Sequence, residues 1–251
     1  MKKRIVSATV AAAMMLTLFT GCGGDTTQNS GTSQTGNSGA PTVDTSNATV
    51  IRLATTSPTS AYDDVSSGTA AVDRYFIENL PERTNGRYVI EYFPDGQLAS
   101  STTDIINGVK SGAFQMSTLS VANWGEYTDA FAETNVPFLF DSFETAASVL
   151  NSGLAEQMMS QAEKDVGVKC LLMPTIGFRQ ITTKNTPVHV ASDLKGIKLR
   201  VQSDPIQIAS FEELGVSVTN VSYNELFSAM QQGLCDGQEN PPTNIFNKKF
   251  Y

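Results

Sequence analysis

Two arginines carry the most pointed chemistry in the sequence. Arg200 lies inside the apolar run Ile197-Lys198-Leu199-Arg200-Val201, and Arg179 lies in Gly177-Phe178-Arg179-Gln180. A guanidinium within a strand is expensive to bury unless something pairs with it. Two readings account for it. One is a structural salt bridge to a carboxylate of the chain itself. The other is a cation facing a cleft, placed to take a ligand carboxylate through two parallel hydrogen bonds. Other chemistries find little footing. His189 is the single histidine, in the turn-like segment Thr186-Pro187-Val188-His189-Val190, which removes most metal centres and catalytic triads. Cys170 and Cys235 have no metal-ligand spacing and read as free, buried thiols or, if the chain is exported, as one disulfide. The sequence has no Gly-rich phosphate loop, no Gly-x-Ser-x-Gly elbow and no carboxylate pair recognisable by spacing. No catalytic residue, cofactor or metal is implied.

The elements that would position these arginines alternate between strand and helix. A strand is expected over residues 50–54, then a helix with Val72, Tyr75, Phe76 and Leu80 at three- and four-residue spacing. Residues 88–93 read as a second strand, Pro94-Asp95-Gly96 as a turn, and Ile105, Ile106 and Val109 mark another helix before a strand at 114–119. Asp141 and Glu144 fit a capping box opening a helix through Val149 and Leu150. In the second half, apolar strands are expected at 168–173, ahead of Arg179, and at 197–201, around Arg200. A helix over 204–214 stops at Gly215, and Ser222 with Glu225 caps a helix carrying Leu226, Ala229 and Met230 that ends at Gly233. Strands alternating with helices at this spacing make an α/β protein. The length beyond residue 47 exceeds what one small core usually takes, so two lobes are expected.

The N-terminus sets the compartment. Lys2, Lys3 and Arg4 precede an apolar stretch over 5–19, too short to span a bilayer comfortably, as in an export signal. Leu18-Phe19-Thr20-Gly21-Cys22-Gly23 reads as a lipobox with cleavage before Cys22, Phe19 standing where Leu is more usual. The alternative is an ordinary signal peptide followed by a coincidental cysteine. Residues 23–47 are rich in Gly, Ser, Thr, Asn and Gln without apolar periodicity, the composition of a flexible tether. The formal net charge is −8 and becomes more negative once the three basic residues of the signal are removed. Such a surface argues against nucleic acid and against basic attachment to lipid, but not against a small anion held by local arginines.

The ordered motifs resemble the solute-binding proteins of TRAP transporters, the DctP family. Those motifs are Gly177-Phe178-Arg179-Gln180, Pro187-Val188, and Asp193-Leu194-Lys195-Gly196 running into the strand of Arg200. Asn224-Glu225-Leu226-Phe227-Ser228-Ala229-Met230-Gln231-Gln232-Gly233 and Asp236-Gly237-Gln238-Glu239-Asn240-Pro241 follow in the family's order. Looser matches are Thr84-Asn85-Gly86-Arg87, Phe93-Pro94-Asp95-Gly96-Gln97-Leu98 and Val136-Pro137-Phe138-Leu139-Phe140. The resemblance covers nearly all of residues 50–251.

It implies a two-lobed periplasmic-binding-protein-like α/β fold (type II-like, TRAP subclass), with a hinge and a central cleft that closes over one ligand. A signal peptide would occupy residues 1–21 and the lipidated Cys22 with its linker 22–47. Lobe I would span 48–175 and lobe II 176–251. Family members continue beyond Tyr251, so the C-terminal part is expected to be missing. By the same resemblance, Arg200 pairs with the ligand carboxylate, Arg179 is a second cleft arginine, Asn240 holds the carboxylate–arginine pair and Tyr223 forms an aromatic wall. Ser120 and Asn123 stand where other members carry charged ligand contacts, which suggests a neutral or hydroxylated distal end.

The implied function is capture of a small organic acid anion, such as a C4-dicarboxylate or a sugar acid, outside the cytoplasm. The protein would deliver it to TRAP permease membrane subunits, itself held at the membrane by a lipid on Cys22. A ligand sensor for a membrane receptor is a second reading, and an exported enzyme acting on organic acids a third.

Overall fold

In a computed structural model, residues 43–62 and 68–251 are described; the expected export signal, Cys22 and most of the expected tether lie outside them. The alternation of strand and helix signals is realised in the first half as β1 (Thr49–Thr55), α1 (Thr59–Tyr62), α2 (Gly68–Arg83), β2 (Tyr88–Phe93), α3 (Thr102–Ser111) and β3 (Met116–Thr118). The three strands are parallel in the order β2-β1-β3, with Leu53 opposite Tyr92 on one side and Met116 on the other. Parallel neighbours need crossovers, and the helices supply them. α3 forms where it does because its ends are chemically marked. Ser101 Oγ accepts the Asp104 N–H at 3.1 Å, and Gly112 at φ +74° turns the chain out of the helix. Ile105, Ala54, Ala99 and Phe114 form the buried layer between helix and sheet. The third strand is shorter than the 114–119 expected, because Phe114 packs into this core ahead of the first paired residue.

The apolar spacing of α2 hides its most unusual residue. Tyr75 is exposed, whereas Asp73 is fully buried. Its Oδ2 accepts from Tyr92 Oη at 3.3 Å and from Thr118 Oγ1 at 3.2 Å, while Oδ1 has no partner. Burial pushes the carboxyl up to about 7 against the weaker opposing effect of the two hydroxyls.

The connection to the second half departs from expectation twice. α4 (Phe143–Val149) is capped by Ser142, whose Oγ accepts the Thr145 N–H at 3.1 Å, and not by Asp141. The chain then kinks within Leu150–Leu154, where Gly153 leaves the helical conformation at φ +98°, and resumes as α5 (Ala155–Val166), closed by Gly167 at φ +79°. Residues 168–173 are not a strand. They pair with no strand among the described residues, and Cys170 and Met173 are held through their side chains against Phe131 and Met158. An apolar run becomes a strand only with a backbone partner. These residues and the free side of β3 instead line a cavity of about 160 Å³.

The second sheet is built from β4 (Gln180–Thr183), β5 (Lys198–Arg200), β6 (Ser217–Thr219) and β7 (Gly237–Asn240), in the order β4-β7-β5-β6. β7, β5 and β6 run parallel, and β4 runs antiparallel to β7. α6 (Pro205–Glu213), α7 (Leu226–Gln231) and α8 (Pro242–Asn247) complete it. Leu194, Ile197, Leu199, Val201 and Val216 form its core. Asp204 Oδ1 caps α6 by accepting the Gln207 N–H at 2.8 Å, and Gly215 at φ +80° ends that segment as expected. Ser222 Oγ and Glu225 Oε2 do bond, at 2.7 Å, yet α7 begins only at Leu226, so the pair closes the preceding turn. Arg179 precedes a strand and does not follow one. Cys170 and Cys235 are both free thiols. Among the described residues, no helix is long and apolar enough to cross a membrane.

Candidate ligand-binding site

The topology brings the expected residues to one edge. Arg200 is the last residue of β5 and Asn240 the last of β7, at the carboxyl ends of parallel neighbours. β4 runs the other way and starts opposite Asn240, so Arg179, one residue earlier, arrives at the same end. Ligands of open α/β sheets bind outside the carboxyl ends of the strands, because the loops there diverge and leave room.

The two arginines then differ sharply. Arg179 is occupied: its Nε and Nη2 fork onto the Glu239 carboxylate, and Nη2 also donates to Glu239 O at 2.8 Å and Asn240 Oδ1 at 3.2 Å. Asn240 Nδ2 donates in turn to Gln238 Oε1. The buried charge on Glu239 is thus matched by a cation held bidentately. Arg200 is 3% exposed; its Nε donates to Val221 O at 3.0 Å, its Nη1 has no partner, and no carboxylate among the described residues forms an ion pair with it. Burial pulls it down to about 10; the Glu239 charge opposes this and Arg179 adds to it. At neutral pH it remains a cation without a counter-ion. Such a group is unfavourable where it stands, and the remedy is an anion.

Tyr223 is half-buried and electrostatically coupled to Arg200 and Arg179. Burial raises its hydroxyl above the usual phenol range, with both arginines pulling the other way. Lys248 Nζ stands 5.3 Å from the centre of its ring and completes a polar knot with the turn after β2. It reaches Asp95 Oδ1 at 3.3 Å and Asn224 Oδ1 at 3.4 Å, while Asn224 Nδ2 donates to Asp95 O at 3.5 Å. Burial opposes ionisation of Asp95, but hydrogen bonds from Thr59 and the charge of Lys248 outweigh it and hold the carboxyl below its ordinary value. A second bridge between the two halves is Asn135 Nδ2 to Asp204 Oδ2 at 3.0 Å. Ser120 and Asn123 lie apart from the arginines in sequence and sheet. They sit in the turn after β3, joined to each other by the Asn123 N–H and Ser120 O at 3.0 Å. Both are half-buried and uncharged, and no hydrogen bond or ion pair joins them to Arg200, Arg179 or Asn240.

The family description "Bacterial extracellular solute-binding protein, family 7" (DctP) matches residues 60–251. The chain belongs to this family. A solute-binding protein of Verminephrobacter eiseniae is 30% identical over 175 residues, 70% of this chain and 52% of that protein. The C4-dicarboxylate-binding protein DctB of Bacillus subtilis is 31% identical over 176 residues, 70% of this chain and 50% of that protein. Among solved structures, the sugar acid binding protein DctPAm of Advenella mimigardefordensis, in complex with galactonate, superposes with a TM-score of 0.74 at 28% identity. That match covers 82% of this chain and 64% of the other. The chain therefore spans about half the length of the curated relatives it matches. The mixed α/β architecture is that of TRAP solute-binding proteins.

The motif reading of this DctP chain missed Glu239 as a partner of Arg179. The sequence marks Gly237-Gln238-Glu239-Asn240 only as a polar run; that every residue of it is buried is visible in the fold alone. Lys248 and Asp95 left no such trace, since each is an ordinary charged residue beside a turn or helix end.

Proposed function

We propose that this protein captures a small organic acid anion outside the cytoplasm and hands it to a TRAP permease without altering it. The observation that carries the reading is the buried, unpaired guanidinium of Arg200 at the carboxyl end of β5. A carboxylate would supply two charge-assisted hydrogen bonds there and strengthen them as water leaves. Arg179, fixed by Glu239 and Asn240, forms the second cationic wall, and Tyr223 the aromatic one. Ser120 and Asn123 would meet the distal end of the ligand from the other sheet.

In this reading residues 48–175 and 176–251 are the two lobes, each contributing one sheet, and the ligand is the bridge that favours the closed arrangement. Cys22, made the first residue by cleavage before it and lipidated, would hold the protein at the membrane through the linker of 22–47. The relatives support the ligand class: proteins of similar fold carry erythronate, galactonate or galacturonate, and DctB of Bacillus subtilis is named for C4-dicarboxylates.

A thermal-shift panel of organic acids on the full chain tests the proposal. An acid at a hundredfold excess over its Kd stabilises the folded form by about 2.7 kcal/mol and raises the melting temperature by several degrees. A panel of sugar acids, hydroxy acids and dicarboxylates that leaves the melting temperature unmoved would refute it. Recovery of the acid unchanged after release separates capture from catalysis.

A further inference from the structure

Two of the places where the halves meet differ in kind. At one, the turn after β2 meets the turn before α7 and the end of α8. Lys248 Nζ lies 3.3 Å from Asp95 Oδ1, and Asn224 Nδ2 donates to Asp95 O at 3.5 Å. These are side-chain ends, and the Asp95 side chain is 43% exposed, so the contact is soft and screened. At the other, the turn after β3 meets the loop that leads from Arg200 into α6. Gly125 directly follows the 3₁₀ turn Val121–Trp124. A Cβ built on it would lie 2.7 Å from Pro205 Cδ and 3.2 Å from Asp204 Oδ2. Carbon atoms in contact stand about 3.5–4.0 Å apart, so one methyl there would have to push the halves apart by roughly 1 Å.

Both sides of this contact are held in place. Asp204 is 2% exposed and both its oxygens are engaged, Oδ1 by the Gln207 N–H at 2.8 Å and Oδ2 by Asn135 Nδ2 at 3.0 Å. Pro205 has a fixed φ in the first turn of that capped helix. Across from it, Trp124 O accepts from the Tyr127 and Thr128 N–H groups at 2.8 and 3.0 Å, and the Trp124 ring packs edge-on against buried Phe131. Gly125 itself has φ −59° and ψ −19°, a helical conformation open to any residue. Its missing side chain therefore matters for the approach of the halves and not for its own backbone.

We propose that Gly125 is a positioning residue for capture: meeting Asp204 and Pro205 without a side chain, it lets the loop that follows Arg200 seat against the turn after β3, and so governs how tightly an acid is held without touching it. The inference rests on the carboxylate-capture reading and adds to it the contact that limits closure. Apparent affinity scales with the fraction of molecules that reach the binding-competent arrangement, so a wedge at this point acts on the Kd.

Gly125→Ala and the double variant Gly125→Ala/Pro205→Ala test it, because Pro205→Ala removes the Cδ that the new methyl strikes. Both are compared with the wild-type chain by calorimetric titration of the acid that gives the largest thermal shift, with circular dichroism establishing that each is folded. Gly125→Ala is expected to bind at least about tenfold more weakly, mostly through faster dissociation. The double variant is expected to return to within about threefold of wild type, as two residues coupled by direct contact should. An unchanged affinity in folded Gly125→Ala, or a loss that Pro205→Ala does not relieve, would overturn the role of Gly125 and leave carboxylate capture standing. So would a lowered melting temperature of the acid-free chain with affinity retained, the mark of a merely structural glycine. A wild-type chain that binds no acid of the panel would refute the capture reading and this inference with it.

Discussion

The two sheets each bury one ionisable side chain with an unpartnered atom, and they resolve the problem in opposite ways. Asp73, behind the first sheet, leaves Oδ1 without a partner, and Arg200, at the end of the second, leaves Nη1 without one. A carboxyl can escape by keeping its proton, and Asp73 does so up to about pH 7. A guanidinium has no such exit, because even at about 10 Arg200 stays charged under physiological conditions. The first sheet is thus self-contained, whereas the second is left one anion short. Two sheets of different topology, one all-parallel and one mixed, thus meet the same burial problem with opposite outcomes. What separates them is the chemistry of one buried group.

The largest way to break this comparison is to unbalance the second sheet further. Glu239→Gln leaves Arg179, a half-buried cation, without the buried carboxylate that it grips. It should cost about 3–5 kcal/mol of folding stability, the usual penalty for removing one partner of a buried pair, read by denaturant unfolding. Asp73 gives the next effect, and its sign is set by its raised value. Between about pH 4 and about pH 7 the folded protein binds more protons at Asp73 than the unfolded chain does. Its contribution to stability is therefore present at the acid end and lost as pH rises through that window, by on the order of 3–4 kcal/mol. Asp73→Asn, which is never charged, should flatten that part of the pH–stability curve.

Arg200→Met tests the debt at the anchor from the other direction. In the absence of ligand it removes an unpaired buried charge and should stabilise the chain by about 1–3 kcal/mol, measured as a rise in melting temperature. The smallest effect is expected from Lys248→Met. Its partner Asp95 has a side chain 43% exposed, and such ion pairs contribute about 0–1 kcal/mol, so the change should be slight and diminish further in high salt.

Much of this architecture could be read from the chain because its signals are local. The β2 span, the helix marked by Ile105, Ile106 and Val109, and the glycine stops at Gly215 and Gly233 depend on residues within a turn or two of one another. The strand around Arg200 and the convergence of Arg179 with Asn240 were equally accessible, through the ordered motifs. What escaped depends on distant partners. Residues 168–173 have the apolar composition of a strand but no strand beside them. β4 and β6 are three or four residues long and owe their existence to neighbours. Asp73 looks like a solvent-facing helix residue until Tyr92 and Thr118, distant in sequence, fold over it. Glu239 shows the same limit in the site, because the pairing of Arg179 with it spans 60 positions.

The central claim is that Arg200 is the anchor for a carboxylate, and one titration addresses it. The acid giving the largest thermal shift is titrated calorimetrically into the wild-type chain and into Arg200→Met, with circular dichroism establishing that both are folded. Loss of a buried charge partner predicts an affinity lower by at least about a hundredfold in the variant, equivalent to about 3 kcal/mol or more. An affinity unchanged in the folded variant would contradict the account.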